Sequence, residues 1–200
     1  VADDHPVVRA GLAAVIAEEA DLLLVAQAEN GERACGLFRE HRPDVVLMDL
    51  RMPIMDGVQA IRTITAEFPA ARILALTTYE GDADIRRALE AGARGYLLKD
   101  MLLTEVITAI RAVRRGDRVI PTAVAARLAE FPERSDLTDR ELEVLQLVAR
   151  GLSNKQVARA IGRTDETVKI HLKNMFAKLG VADRTEAVTV ALARGLIHLE

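Results

Sequence analysis

Five times before residue 115 the chain passes from a short apolar run to an amphipathic helical stretch, a rhythm that neither an all-helical bundle nor an all-strand sandwich can accommodate. The apolar runs fall at residues 1–2, 22–28, 45–49, 72–77 and 95–98, and helical periodicity occupies 6–18, 31–41, 57–67, 82–91 and 103–115. Runs such as Val45 to Met48 are continuously apolar rather than alternating, as in strands buried on both faces of a parallel sheet. The pattern predicts a doubly wound α/β domain over residues 1–115.

Residues 116–136 (GDRVIPTAVAARLAEFPERSD) mix turn formers, an alanine-rich piece and two prolines, and read as a linker with a short helix. From 137 to 200 no strand pattern occurs. Thr138 with Glu141 three residues on forms a capping box for a helix ended by Gly151, and 153–160, 164–179 and 183–194 read as three more. Two helices joined by a short glycine-containing turn, the second exposed and basic, describe a helix-turn-helix.

Charge divides along the same line. Residues 1–137 carry 17 Lys+Arg against 22 Asp+Glu, and residues 138–200 carry 10 against 8, so the overall −3 conceals an acidic first part and a mildly basic second. No apolar run approaches the roughly 18 residues of a membrane span, and no secretion signal is visible at the start, so a cytoplasmic protein without a membrane partner is expected. The sequence begins at Val1 without a methionine, and a few residues are expected to be missing upstream of so short a first strand. Cys35, the single cysteine, excludes an internal disulfide framework and reads as a small buried hydrophobe.

The strand ends hold the chemistry. A buried strand should not end on a carboxylate without a reason, yet 45–49 ends on Asp49. Asp3 and Asp4 end the first strand, Thr77 the fourth and Lys99 follows the fifth, so five polar residues fall on the carboxyl edge where parallel sheets bind ligands. Three carboxylates gathered there repel one another unless a cation sits among them, and a hard oxygen-seeking ion, Mg²⁺ or Mn²⁺, fits. Carboxylate, metal, hydroxyl and lysine together can accept a phosphoryl group on Asp49. Taken singly, Asp3 or Asp4 serves equally as a helix cap, Thr77 as a strand end and Lys99 as a solvated charge; the group points to function. Asp56, before Gly57, reads as a turn and helix cap.

In the stretch TDETVKIHLKNMFAKL, Val168, Leu172, Met175 and Leu179 make one apolar face. Lys169, Ile170, Lys173, Asn174 and Lys178 are left outside it. An isoleucine among lysines suits a helix in a DNA major groove, where lysines meet phosphates and guanine edges and Ile170 meets a thymine methyl.

ADDHPVVRAGL, DVVLMDLRMPIMDG, LALTTYE and EAGARGYLLKD together resemble the receiver domain of bacterial response regulators. The resemblance implies a five-stranded parallel sheet in the flavodoxin-like order 2-1-3-4-5. It makes Asp49 the phosphoacceptor, Asp4 a direct Mg²⁺ ligand, Asp3 a ligand through water, and the Arg51 main-chain carbonyl a further ligand. Thr77 and Tyr96 match the switch pair, and Lys99 the phosphate-binding lysine. Many receivers follow that lysine with proline, where this chain has Asp100.

Residues 137–197 resemble the LuxR-type helix-turn-helix, and with the receiver the chain is similar to the NarL/FixJ family of transcription regulators. By that resemblance Lys169, Ile170 and Lys173 reach base edges, and Ser153, Asn154, Lys155, Thr167 and Arg184 contact the DNA backbone. A sensor histidine kinase is the implied phosphoryl donor, promoter DNA the target, and a homodimer joined through the last helix the DNA-bound form. Two rivals remain at this point. A haloacid-dehalogenase-type phosphatase also forms an aspartyl phosphate, but needs a carboxylate two residues after its nucleophile, where this chain has Arg51. A receiver acting only through proteins would use the last helices for dimerisation alone.

Overall fold

The computed structural model describes residues 1–78, 81–130 and 137–198. The chain forms two compact units, Val1–Tyr79 with Ile85–Ala126, and Glu80–Asp84 with Arg127–Glu200.

The first part of the chain runs α1 (Pro6–Ala17), α2 (Gly31–His41), β1 (Val46–Asp49), α3 (Gly57–Glu67), β2 (Ile73–Thr77), α4 (Asp82–Glu90), β3 (Gly95–Leu98), α5 (Leu103–Arg115) and α6 (Thr122–Glu130). The three strands are parallel in the order β1-β2-β3, and every residue in them is buried, which explains their unbroken apolar character. Leu12 and Ile16 of α1 join Val106, Ile110 and Val113 of α5 over Leu47, Leu74 and Leu97 of the sheet. Ala60, Ile61 and Ile64 of α3 are buried as well.

The two other expected strands shrink to single parallel bridges. Ala2 pairs with both Ala28 and Met48, which places the first run between the second run and β1, as the order 2-1-3-4-5 requires. Ladders do not form because the first run offers only Ala2 between Val1 and Asp3, and the second turns Leu23 outward at 83 % exposure. On the opposite edge an unexpected bridge joins Gly95 to Val119, with the Tyr96 N–H donating to the Val119 carbonyl at 2.9 Å. The start of the expected linker is thus paired with the sheet. Its short helix is α6, and its last residues, 131–136, lie outside the described residues. No peptide bond among the described residues is cis.

The second unit contains α7 (Asp139–Ala149), α8 (Asn154–Ala160), α9 (Asp165–Leu179) and α10 (Arg184–Ala193). Polar residues open these helices as expected: Thr138, Thr164 and Asp183 accept the N–H of the residue three positions on, and Gln156 reaches back to the Ser153 N–H at 2.8 Å. Gly162 and Gly180 follow α8 and α9 with φ of +65° and +68°, a left-handed conformation that favours glycine. Val144, Leu145, Val157, Val168, Met175, Ala187, Ala191 and Ile197 form the core. Arg194, which caps α10, donates to both carboxylate oxygens of Asp82 at 3.1 and 3.0 Å within the same unit.

Candidate functional site

Parallel pairing sets the site. Asp49 is the last residue of β1 and lies opposite Leu76, Thr77 is the last residue of β2 opposite Leu98, and Lys99 is the next residue along. Residues that end neighbouring strands in register share one edge, so a carboxylate, a hydroxyl and an ammonium gather there. The Lys99 N–H donates to the Thr77 carbonyl at 2.8 Å and keeps the last two in step.

Asp49 is only 2 % exposed. Its backbone is wedged in place, since a Cβ on Gly57 would lie 1.9 Å from the Asp49 carbonyl oxygen. Only glycine lets α3 start so close to the end of β1. Asp56 caps that helix by accepting the Gln59 N–H at 2.8 Å, the structural role its sequence context predicts. Between them Ile54 holds φ at +70° with its side chain exposed, an uncommon conformation for a β-branched residue.

Lys99 Nζ bridges two buried carboxylates, 2.9 Å from Asp49 Oδ2 and 2.7 Å from Asp3 Oδ2. Burial works against its charge, but its interactions with the two carboxylates prevail and hold the ammonium above its ordinary pKa. For Asp49 the balance falls the other way. Burial raises its carboxyl pKa, and the bond from a lysine shared with Asp3 only partly offsets that rise. The Arg51 N–H adds a long contact to Asp49 Oδ1 at 3.3 Å.

The acidic corner has room for a cation. Ligand atoms of Asp3, Asp4, His5 and Asp49 lie within 4.8 Å of one another, and the buried oxygens Asp3 Oδ2 and Asp4 Oδ1 accept no hydrogen bond of acceptable geometry. His5 is the member that sequence reasoning missed. Its Nδ1 is 2.6 Å from Asp4 Oδ1 and its N–H donates to Asp3 Oδ1 at 2.9 Å, and its place directly after two aspartates is the signal that could have found it. Arg9 also escaped notice; its guanidinium donates to the Asp3 main-chain carbonyl at 2.6 Å. Tyr96 is fully buried on β3.

In the second unit α9 buries Val168, Leu172 and Met175, as its periodicity predicts. Ile170 is 58 % exposed, and Lys169 and Lys173 share that open side. Lys169 lies 3.3 Å from both Asp165 and Glu166, pairs on the water side of the helix. Ser153 and Lys155 are exposed at the start of α8, while Asn154 and Thr167 are half-buried.

Two basic residues of this unit bond to groups outside their own helices. Lys178, placed by helical periodicity among the outward lysines, bonds Glu141 Oε2 of α7 at 2.8 Å. Arg184 turns inward: it donates to Asn154 Oδ1 at 3.3 Å, to the Val148 carbonyl at 3.2 Å and to the Leu152 carbonyl. Both partners lie more than two dozen residues away, beyond the reach of local periodicity. Among the described residues no helix is long and apolar enough to cross a membrane.

Known proteins share this combination. The family described as "Response regulator receiver domain" matches residues 1–111, and "Bacterial regulatory proteins, luxR family" matches residues 135–191. The transcriptional regulatory protein LnrK of Bacillus subtilis is 38 % identical, and the response regulator protein VraR of Staphylococcus aureus is 37 % identical; each match covers 98 % of this chain and 96 % of the relative. Among solved structures, the response regulator ChrA of a heme-sensing two-component system is 40 % identical with a TM-score of 0.58, covering 98 % of this chain and 96 % of that one. A complex of the two-component response regulator RcsB with DNA is 26 % identical with a TM-score of 0.68, covering 96 % of each chain.

Proposed function

The chain belongs to the response regulators that join a receiver domain to a LuxR-type helix-turn-helix, the DNA-binding regulators of two-component systems, and from that premise we propose how its own residues divide the work. Asp49 is the phosphoacceptor, supplied by a sensor histidine kinase. One Asp49 oxygen forms the new P–O bond as the donor's P–N bond breaks. The observation that carries this reading is the bridging ammonium of Lys99, already 2.9 Å from Asp49. It is in place to follow the negative charge onto a phosphoryl oxygen, with the Thr77 hydroxyl one strand away to hold another.

Asp3, Asp4, Asp49 and the Arg51 carbonyl would hold Mg²⁺ or Mn²⁺, which neutralises phosphoryl oxygens when bound. The gathering of Asp3, Asp4 and Asp49 ligand atoms within 4.8 Å of one another supports that set. Tyr96 serves as the buried partner of Thr77 in the response to phosphorylation. Position 51 is arginine, so no side-chain acid stands two residues from Asp49 to release an alcohol, and slow self-dephosphorylation is the only turnover proposed.

Lys169, Ile170 and Lys173 read base edges, and Ser153, Asn154, Lys155 and Thr167 meet the phosphate backbone of promoter DNA. Arg184 meets the backbone beside Asn154, whose Oδ1 it also holds. A solved structure titled as two RcsB dimers bound to two parallel DNAs supports a dimeric DNA-bound state for this chain too. The cytoplasm, where promoter DNA lies, is the location this reading proposes.

Incubation with acetyl phosphate and Mg²⁺ tests the core of the proposal by intact mass. The wild type is expected to gain one phosphoryl group and Asp49→Asn none. Equal phosphorylation of the two would refute Asp49 as the acceptor.

A further inference from the structure

Reading bases demands that a helix be held to within about half an ångström, and apolar packing alone does not fix a helix that well. The face of Val168, Leu172 and Met175 keeps α9 on its neighbours, but non-directional contacts leave rocking about that face soft. Directional bonds must supply the rest. At its first turn α9 has the Thr164 cap, whose Oγ1 accepts the Thr167 N–H at 3.3 Å.

At its last turn stands Lys178. Its Nζ is 2.8 Å from Glu141 Oε2, and Glu141 is only 4 % exposed. The same oxygen accepts the Thr138 N–H at 2.8 Å and the Thr138 hydroxyl at 3.0 Å. One desolvated carboxylate oxygen therefore ties the last turn of α9 to the first turn of α7. Burial works to raise the Glu141 pKa, but Lys178 and Thr138 outweigh it and hold the carboxyl below its ordinary value. Lys169 lies nine residues before Lys178, a lever of roughly 13 Å at 1.5 Å per residue. A rocking of about ten degrees over that lever moves Lys169 by about 2 Å, several times what base readout tolerates.

We infer that Glu141 and Lys178 are positioning residues for sequence discrimination, which lock the reading helix at its far end and withhold Lys178 from the DNA backbone. The inference rests on the reading of α9 as the DNA-contacting helix. It assigns Lys178 a task different from that of Lys169 and Lys173, although all three are lysines of one helix.

The test uses the full-length protein and two duplexes, one enriched from a random pool by the wild type and one scrambled, titrated over a range of salt at a temperature where circular dichroism shows each variant folded. Glu141→Gln keeps the shape and removes the ion pair that holds Lys178 to α7. Its preference for the enriched duplex is expected to fall about tenfold, while scrambled-duplex binding tightens and its salt slope steepens by about 0.9, the increment for one more phosphate contact. Lys178→Gln should lose the same preference with an unchanged salt slope, and Lys178→Arg should restore it. Loss of fold alone would lower melting temperature without changing preference.

Wild-type preference in both Glu141→Gln and Lys178→Gln would overturn the inference, as would a slope reduced by about 0.9 in Lys178→Gln, which would make Lys178 a phosphate contact. Should Glu141→Gln not fold, the Lys178 pair decides alone. A wild type that enriches no duplex would instead refute the DNA reading of α9.

Discussion

Each unit of this protein buries carboxylate against lysine, and the two arrangements are opposites. Lys99 is divided between Asp3 and Asp49, so its bond only partly offsets the burial that pushes the Asp49 carboxyl up, and the neighbouring Asp3 charge adds to the rise. Glu141 accepts from Lys178 together with two bonds from Thr138, and its carboxyl is held down. A buried carboxylate left short of partners is ready to change its charge or gather a cation, whereas one supplied with them all serves to hold elements together. Burial raises both carboxyls, and the donors around each decide whether it prevails, as at Asp49, or is outweighed, as at Glu141.

The largest expected effect would strike the reactive site through its backbone. Gly57→Ala places a carbon within 1.9 Å of the Asp49 carbonyl, and denaturant unfolding is expected to report a loss upwards of about 3 kcal/mol. Gly162→Ala, in the other unit, meets no atom within 4 Å and carries only the strain of its φ of +65°, about 1 kcal/mol. Comparable losses would erase the distinction. Next in size, Lys99→Met strands two buried carboxylates and should cost about 3 kcal/mol in the absence of divalent ions, part of it recovered on adding Mg²⁺.

Removing the carboxylates instead should separate the units by sign. Asp49→Asn relieves excess charge and is expected to stabilise the first unit by about 1 kcal/mol, while Glu141→Gln destabilises the second by about 1–2 kcal/mol. The same contrast governs pH. The depressed pKa of Glu141 means that its stabilisation is present above the ordinary glutamate value of 4.5 and is lost as pH falls through the lower folded-state value. The raised pKa of Asp49 gives a penalty that sets in as pH rises past 3.8 and is relieved on acidification. Melting curves followed with probes in each unit should therefore show Asp49→Asn above and Glu141→Gln below the wild type at pH 7, with both differences shrinking as pH falls toward about 3. The smallest effect is expected at the exposed Lys169–Glu166 pair, where Glu166→Ala should change stability by no more than about 0.5 kcal/mol.

The sequence disclosed the polar cluster at the strand ends far better than the Glu141–Lys178 pair. Asp3, Asp49, Thr77 and Lys99 end runs of buried residues, and a parallel sheet converts that one-dimensional position into proximity. Glu141 was legible only as half of a capping box, because its second partner stands 37 residues away on another helix. Helical periodicity states which face a lysine lies on, but not whether a carboxylate from elsewhere waits beside it, which is why Lys178 was rightly read as outward while its Glu141 partner was not seen. The alternating rhythm fixed the helices nearly to the residue. It overstated the first two strands, since an apolar run shows what prefers burial and not whether a neighbour is there to pair.

The bridge at Val119 has a bearing on how the protein behaves in a crowded cell. Without it β3 would end the sheet and offer its free N–H and C=O groups to any passing strand, the usual start of edge-to-edge aggregation. Val119 takes up the Tyr96 N–H and donates to the Arg94 carbonyl, and Gly95 leaves so little room that a Cβ there would lie 2.6 Å from the Val119 oxygen. A single residue after α5 thus acts as a stopper, which keeps this side of the sheet closed to other molecules.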